Sequence, residues 1–114
     1  MARQQYQLLF DSLGRENISI LTGLKTEALI EYYDEKRDLP EYEKAQLEFL
    51  KEVVDHLSGS YTDLGIRQWF ARAKTELANE SAYYHLKRDW QPIDFFPQQI
   101  LALARSLSSG MGAT

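Results

Sequence analysis

The chain has no cysteine, only three prolines and six glycines in 114 residues, and no long apolar run. Without cysteine there is no disulfide framework, no thiolate chemistry and no zinc finger, which matches a reducing, cytoplasmic setting. No apolar stretch approaches the roughly 18 residues of a membrane span, and the opening MARQQYQLLF lacks the apolar core of a secretory leader. No membrane partner is expected. Glycine is too sparse for a phosphate-cradling loop, and no nucleophile motif is present. Strict alternation of apolar and polar residues never persists, so strands are not expected either.

Charge is scarce in one sign where it would matter for nucleic acid. The net charge is -4, so the field of the whole molecule does not favour a polyanion. The distribution is also uneven. Residues 26–55 carry ten acids against four bases, whereas residues 66–90 carry five bases against three acids.

What is present is helical periodicity. Tyr6, Leu9, Phe10 and Leu13 share one helical face, with Gly14 as its stop. Ile18, Ile20 and Leu21 lead to a turn at Gly23, and Leu29, Ile30 and Tyr33 open a second stripe. Pro40 suits the first turn of a longer helix whose face is Tyr42, Ala45, Phe49, Leu50, Val53, Val54 and Leu57. Ser58-Gly59-Ser60 divides the chain into a module over 1–57 and another over 61–107, with a mobile tail over 108–114. In the second module Leu64, Ile66, Trp69, Phe70 and Ala73 mark a helix. A polar turn around Ala78-Asn79-Glu80-Ser81 and a short helix through Tyr83, Tyr84 and Leu86 follow. The crossing WQPIDFFPQ interrupts the helices, and Pro97 opens the last one, with face Ile100, Leu103, Ala104 and Leu107. The expected fold is all-α: a compact helical domain with a helix-turn-helix-like N-terminal half and a small helical C-terminal half.

The N-terminal pair has helix-turn-helix spacing: Ser19 as the small residue, Gly23 at the turn, Leu24 as its apolar contact and Leu29 as the packing residue. A helix that reads DNA needs donors for phosphates and base edges. Here Lys25, Thr26, Glu27 and Ile30 are the candidate DNA contacts, with Glu31 and Asp34 also facing outward, and only Lys25 would welcome a phosphate. The acidic surface disfavours DNA, and the motif is expected to serve as scaffold.

The second half, with Trp69 on one helix, Leu77 and Asn79 in a polar turn, Ser81 at a helix N-cap, Leu86 beyond it and QQILALARSL at the end, resembles the Xre/MbcA/ParS-type antitoxins. The similarity is strongest over residues 65–107. The chain departs from that pattern with Glu80 in place of a glycine and Ala82 in place of a proline. The resemblance implies a non-enzymatic antitoxin, often dimeric, that neutralises a RES-type, NAD-targeting toxin by occupying its cleft, usually through C-terminal residues. It also implies Arg67, Trp69, Arg72, Asn79, Ser81 and Arg105 as candidate partner contacts, although a tryptophan on an apolar helical face is more often a core residue than a contact.

Two further readings come from the residues themselves. Trp90 and Phe95 are expected to plug the core, and Phe96 to reach a partner surface, because exposed aromatics mark interfaces. Of the tyrosine pairs at 32–33 and 83–84, some members must lie at the surface. Metal-ligand spacing is limited to Glu52 with His56 and His85 with Asp89, each without a visible third ligand, so neither a metal nor another cofactor is expected. Catalysis is not expected. The alternatives to the antitoxin reading are a dimeric helix-turn-helix regulator and a helical protein-interaction adaptor.

Overall fold

The computed structural model describes residues 2–87 and 89–108. The tail expected over 108–114 lies, beyond Ser108, outside them. The fold is all-α, as the periodicity implies. A short helix α1 (Ala2–Gln5) leads into α2 (Gln7–Leu13), which buries Leu9 and Leu13 and stops at Gly14. Tyr6, at the joint between them, is itself buried, and its hydroxyl donates to the Glu48 carboxylate. Burial, then that carboxylate, holds the phenol far above its ordinary pKa.

Helices α3 (Arg15–Thr22) and α4 (Thr26–Tyr33) form the tight pair. Gly23 caps α3 in the left-handed region at φ 78°, a conformation open to glycine at no steric cost. Its N–H donates to the Ser19 carbonyl at 2.8 Å, and the Ser19 hydroxyl donates to the Leu24 carbonyl. Leu29 is fully buried beneath the pair, while Leu24 is half-buried.

After Pro40, α5 (Glu41–Leu57) is the longest helix among the described residues and the spine of the fold. Its buried face is Gln46, Leu47, Phe49, Leu50, Val53, Val54 and Leu57. Tyr42 and Ala45, expected on that face, are exposed. The stripe begins one turn later, because Tyr42 turns its hydroxyl to the Trp90 carbonyl instead of entering the core.

Thr62 caps α6 (Asp63–Ala71) by accepting from the Gly65 N–H at 3.2 Å. Ile66, Trp69 and Phe70 are buried as expected. Leu64 and Ala73 are exposed, since α6 turns the opposite side to α2 and ends at Ala71. A single 3-10 turn (Thr75–Leu77) and an isolated antiparallel bridge between Lys74 and Glu80 close a small loop. Ser81 caps α7 (Ala82–His85), its hydroxyl accepting from Tyr84 N–H at 3.0 Å. The last helix, α8 (Phe95–Ser108), starts two residues before Pro97, which sits in the first turn where its missing N–H costs nothing.

The 58–60 turn separates α5 from α6 in sequence, but the core runs across it. Leu9, Leu13, Leu50, Val53, Ile66, Phe70, Ile100 and Ala104 belong to one buried cluster. α8 lies along α5, and α2 packs on both α5 and α6. A polar clasp joins the halves as well. The buried Trp90 indole donates to the Leu21 carbonyl at 2.7 Å, and the Trp90 carbonyl accepts from Tyr42 Oη at 2.9 Å and Gln46 Nε2 at 3.0 Å.

Candidate protein-interaction surface

The C-terminal half presents apolar side chains that its own core does not cover. Ser81 fixes the entry into α7, and α7 is too short to bury both faces, so Ala82 and Leu86 go inward while Tyr84 is left outside, 53% exposed. His85 lies between. Its Nε2 is 2.6 Å from the Leu77 carbonyl; a carbonyl can only accept, so this nitrogen carries the proton. With the ring so fixed, Phe96 at the start of α8 stacks on it, centroids 3.8 Å apart and planes at 17°. Tyr84 meets the same imidazole edge-on at 5.3 Å, and Phe95 meets Phe96 edge-on at 5.1 Å.

The result is a continuous ridge, Tyr84-His85-Phe96-Phe95. Phe95 is 67% exposed, and Ile93, two residues before it, is 81% exposed. Lys87 extends over the outer end, its ammonium 6.0 Å from the centre of the Tyr84 ring. Aromatic groups in contact and facing water are what a partner desolvates at low entropic cost.

Behind the ridge the rings become core: Phe70 packs on Tyr83 at 5.3 Å and on Trp69 at 5.6 Å. Tyr83, half-buried, has its phenol pushed up by burial, with the Arg67 guanidinium working in the other direction. Lys74 closes the end of α6. Its ammonium lies 4.2 Å from the Trp69 ring centre, and it donates to the carbonyls of Trp69 and, at 3.2 Å, Arg72. Burial, then the charge of Arg72, lowers it to about 8, with Glu76 opposing.

The residues implied as partner contacts are only partly brought together. Phe96 is a half-buried member of the ridge, and Ser81 supports it from behind as the α7 cap. Arg67 is exposed on α6, near enough to Tyr83 to influence it, and Arg72 is exposed at the end of the same helix. Asn79 is exposed at the tip of the loop, at φ 64°. Arg105 stands apart: nine residues beyond Phe96, about 14 Å along α8 by helical rise. It pairs with Glu52 of α5 at 2.8 Å. Beside that pair, Glu48, Lys51, Asp55, Phe49 and Leu101 line a shallow groove of about 710 Å³ with both signs of charge.

Trp90 is a core residue as expected, but Phe95 is not a plug. α8 begins at Phe95, and in that first turn Phe96 and Pro97 take the inward positions. His85 belongs to the ridge, and spacing alone did not single it out for that; its stacking depends on α7 and α8 meeting in space. Its Nε2 is committed to a backbone carbonyl. Among the described residues no three His, Cys, Asp or Glu side chains converge.

On the N-terminal pair, Lys25 and Glu27 are exposed, and Thr26 is half-buried. Ile30 does not project freely: it is half-buried and lines a cleft of about 460 Å³ with Phe10 and Tyr33, flanked by Asp11, Arg15 and Asp34. Phe10 and Tyr33 are in ring contact at 4.7 Å. Glu31 is bound to Arg37 at 2.7 Å.

Set against protein-family models, curated proteins and solved structures, the chain matches none. No helix among the described residues is long and apolar enough to cross a membrane.

Proposed function

We propose that this chain is a non-enzymatic, antitoxin-like protein of the cytoplasm that binds and neutralises a partner toxin of the RES type, a class that targets NAD, through its C-terminal half. The observation that carries this reading is the exposed aromatic ridge Tyr84-His85-Phe96-Phe95, built on the same half of the chain that resembles the antitoxins. Interfaces are anchored by a few aromatic and arginine side chains around which weaker contacts exclude water. Here Arg67 and Lys87 supply positive charge near the aromatics. A dimer formed through the helical core is part of the same reading.

The test uses the product of the adjacent gene. Co-expression with a RES-type neighbour should restore cellular NAD, and Tyr84→Ala/Phe95→Ala should abolish that rescue. Truncating two such anchors weakens binding by about 2–4 kcal/mol or more, while exposed substitutions leave fold stability within about 0.5 kcal/mol. Full rescue by the double variant would remove the ridge from the interface. An adjacent gene product that does not consume NAD would remove the toxin class.

A second reading, a dimeric helix-turn-helix regulator, is favoured by the left-handed Gly23 turn over a buried Leu29. Tight binding to DNA upstream of its own gene, with affinity falling steeply as salt rises, would establish it in place of the scaffold role.

A further inference from the structure

A second site lies at the polar clasp between the two halves. A pocket of about 430 Å³ is lined by Gly23 at the end of α3, by Tyr42, Glu43 and Gln46 from the first turns of α5, and by Lys87 and Asp89. Gln46 is 1% exposed. Its amide nitrogen is committed to the Trp90 carbonyl, and its Oε1, on the opposite branch of the amide, is buried with no hydrogen-bond partner. A buried acceptor left so is costly and is rarely kept without a donor that completes it.

Among the described residues the rest of the pocket is rich in acceptors and short of donors. Neither the Glu43 nor the Asp89 carboxylate has an ion-pair or hydrogen-bonding partner among the described residues. The carbonyl end of α3 adds the negative pole of its helix dipole. Asp94 contributes nearby: partial desolvation, then Asp89, Glu43 and Asp94 in that order, raises the Tyr42 phenol. Lys87 is the one cation among the described lining residues, and its ammonium lies 6.0 Å from the centre of the Tyr84 ring.

From this arrangement we infer that the pocket receives a guanidinium group, with Glu43 and Asp89 taking the charge, Gln46 Oε1 accepting an N–H and the Tyr42 ring flanking the plane. Guanidinium suits it better than the alternatives. It offers five donors in a plane to acceptors that lie on several sides, and it is less strongly hydrated than an ammonium. A hard metal ion wants about six or more oxygen ligands around one point, and no three His, Cys, Asp or Glu side chains converge among the described residues. The group could be an arginine side chain of a partner or belong to a small guanidine, and the pocket does not depend on the ridge or on the identity of any toxin.

The chain has two tryptophans, so its two indole N–H resonances report the test directly. Titrating the full chain with agmatine should shift the Trp90 indole and the Gly23 amide in a saturable manner while the Trp69 indole stays in place. A short acetylated arginine peptide tested alongside distinguishes the sources: tighter binding of the peptide identifies a protein arginine, tighter binding of agmatine a small guanidine. Glu43→Gln/Asp89→Asn should weaken either ligand about tenfold per carboxylate, the scale of one charge-assisted hydrogen bond. Both substitutions preserve shape, and asparagine is well tolerated at the positive φ of 41° at position 89, so the variant remains folded for the comparison. Unsaturable shifts, equal movement of both indoles, undiminished binding by the double variant, or a response to calcium chloride without one to agmatine would each overturn the inference.

Discussion

Two tight turns of this protein solve one problem with different residues. Between α3 and α4 the chain enters the left-handed region at Gly23, which pays no steric penalty there, and a β-carbon at that position would meet nothing within 4 Å. Between α6 and α7 the chain does so twice in succession with side chains present, at Ala78 (φ 58°) and Asn79 (φ 64°), closing the loop with a hydrogen bond from Glu80 N–H to the Leu77 carbonyl at 3.1 Å. Asparagine tolerates this region and alanine does not. The N-terminal turn is therefore relaxed and the C-terminal one strained, and the strained turn adjoins the ridge. Strain that persists next to an exposed surface is held by the packing around it, here the full burial of Leu77 and the hydrogen bond its carbonyl accepts from His85.

The largest effect should come from Trp90→Ala, which empties a buried indole site and removes the clasp to Leu21. A loss of about 3–5 kcal/mol is expected, read from urea denaturation, with both halves unfolding in one transition because their core is shared. Two separate transitions would mean that the halves are independent modules.

Gly23→Ala should cost about 1 kcal/mol. The left-handed penalty of roughly 1–2 kcal/mol is offset in part by the smaller entropy of the unfolded alanine chain. Ala78→Gly reverses the sign of both contributions and should stabilise by about 0.5 kcal/mol. If thermal unfolding shows the two changes moving stability in the same direction, the contrast between the turns is wrong.

The smallest effect is one of pH. Folding depresses the Lys74 ammonium to about 8, so between that value and the ordinary lysine range the unfolded chain binds the extra proton. Stability therefore rises with pH across this window: the cost of burying the charge is present in full below about 8 and is relieved above it. Melting temperatures measured from pH 7.5 to 9.5 should climb for the wild type relative to Lys74→Gln, and parallel curves would show that Lys74 is not desolvated.

Much of the fold was legible because its helices are amphipathic and plainly punctuated. Gly14, Gly23 and Pro40 fall where α2 and α3 stop and α5 begins. The errors share one cause. Periodicity marks a stripe but does not say how far a neighbour extends along it. Tyr42 and Ala45 continue the α5 stripe, and Leu64 and Ala73 that of α6, past the point where another helix covers them. Phe95 was misplaced because the direction of a side chain in the first turn of a helix depends on where that turn starts, and α8 starts two residues before the proline that signals it. The ridge was half-visible, since Tyr83 and Tyr84 cannot both turn inward from a four-residue helix. His85 could not be assigned to it without the meeting of α7 and α8.

The helical character of the chain, the places where most helices begin and end, the turn at Gly23, and the gathering of acid over residues 26–55 and of base over 66–90 can all be read from the residues in order. These depend on residues within a few turns of one another, where backbone preference and hydrophobic spacing act directly. Only the tertiary structure decided that the halves share one core and a polar clasp at Trp90, that four aromatic rings from α7 and α8 align at the surface, and that Gln46, Glu43 and Asp89 face one pocket. Each of these joins residues far apart in the chain, and such contacts are set by how the helices pack together.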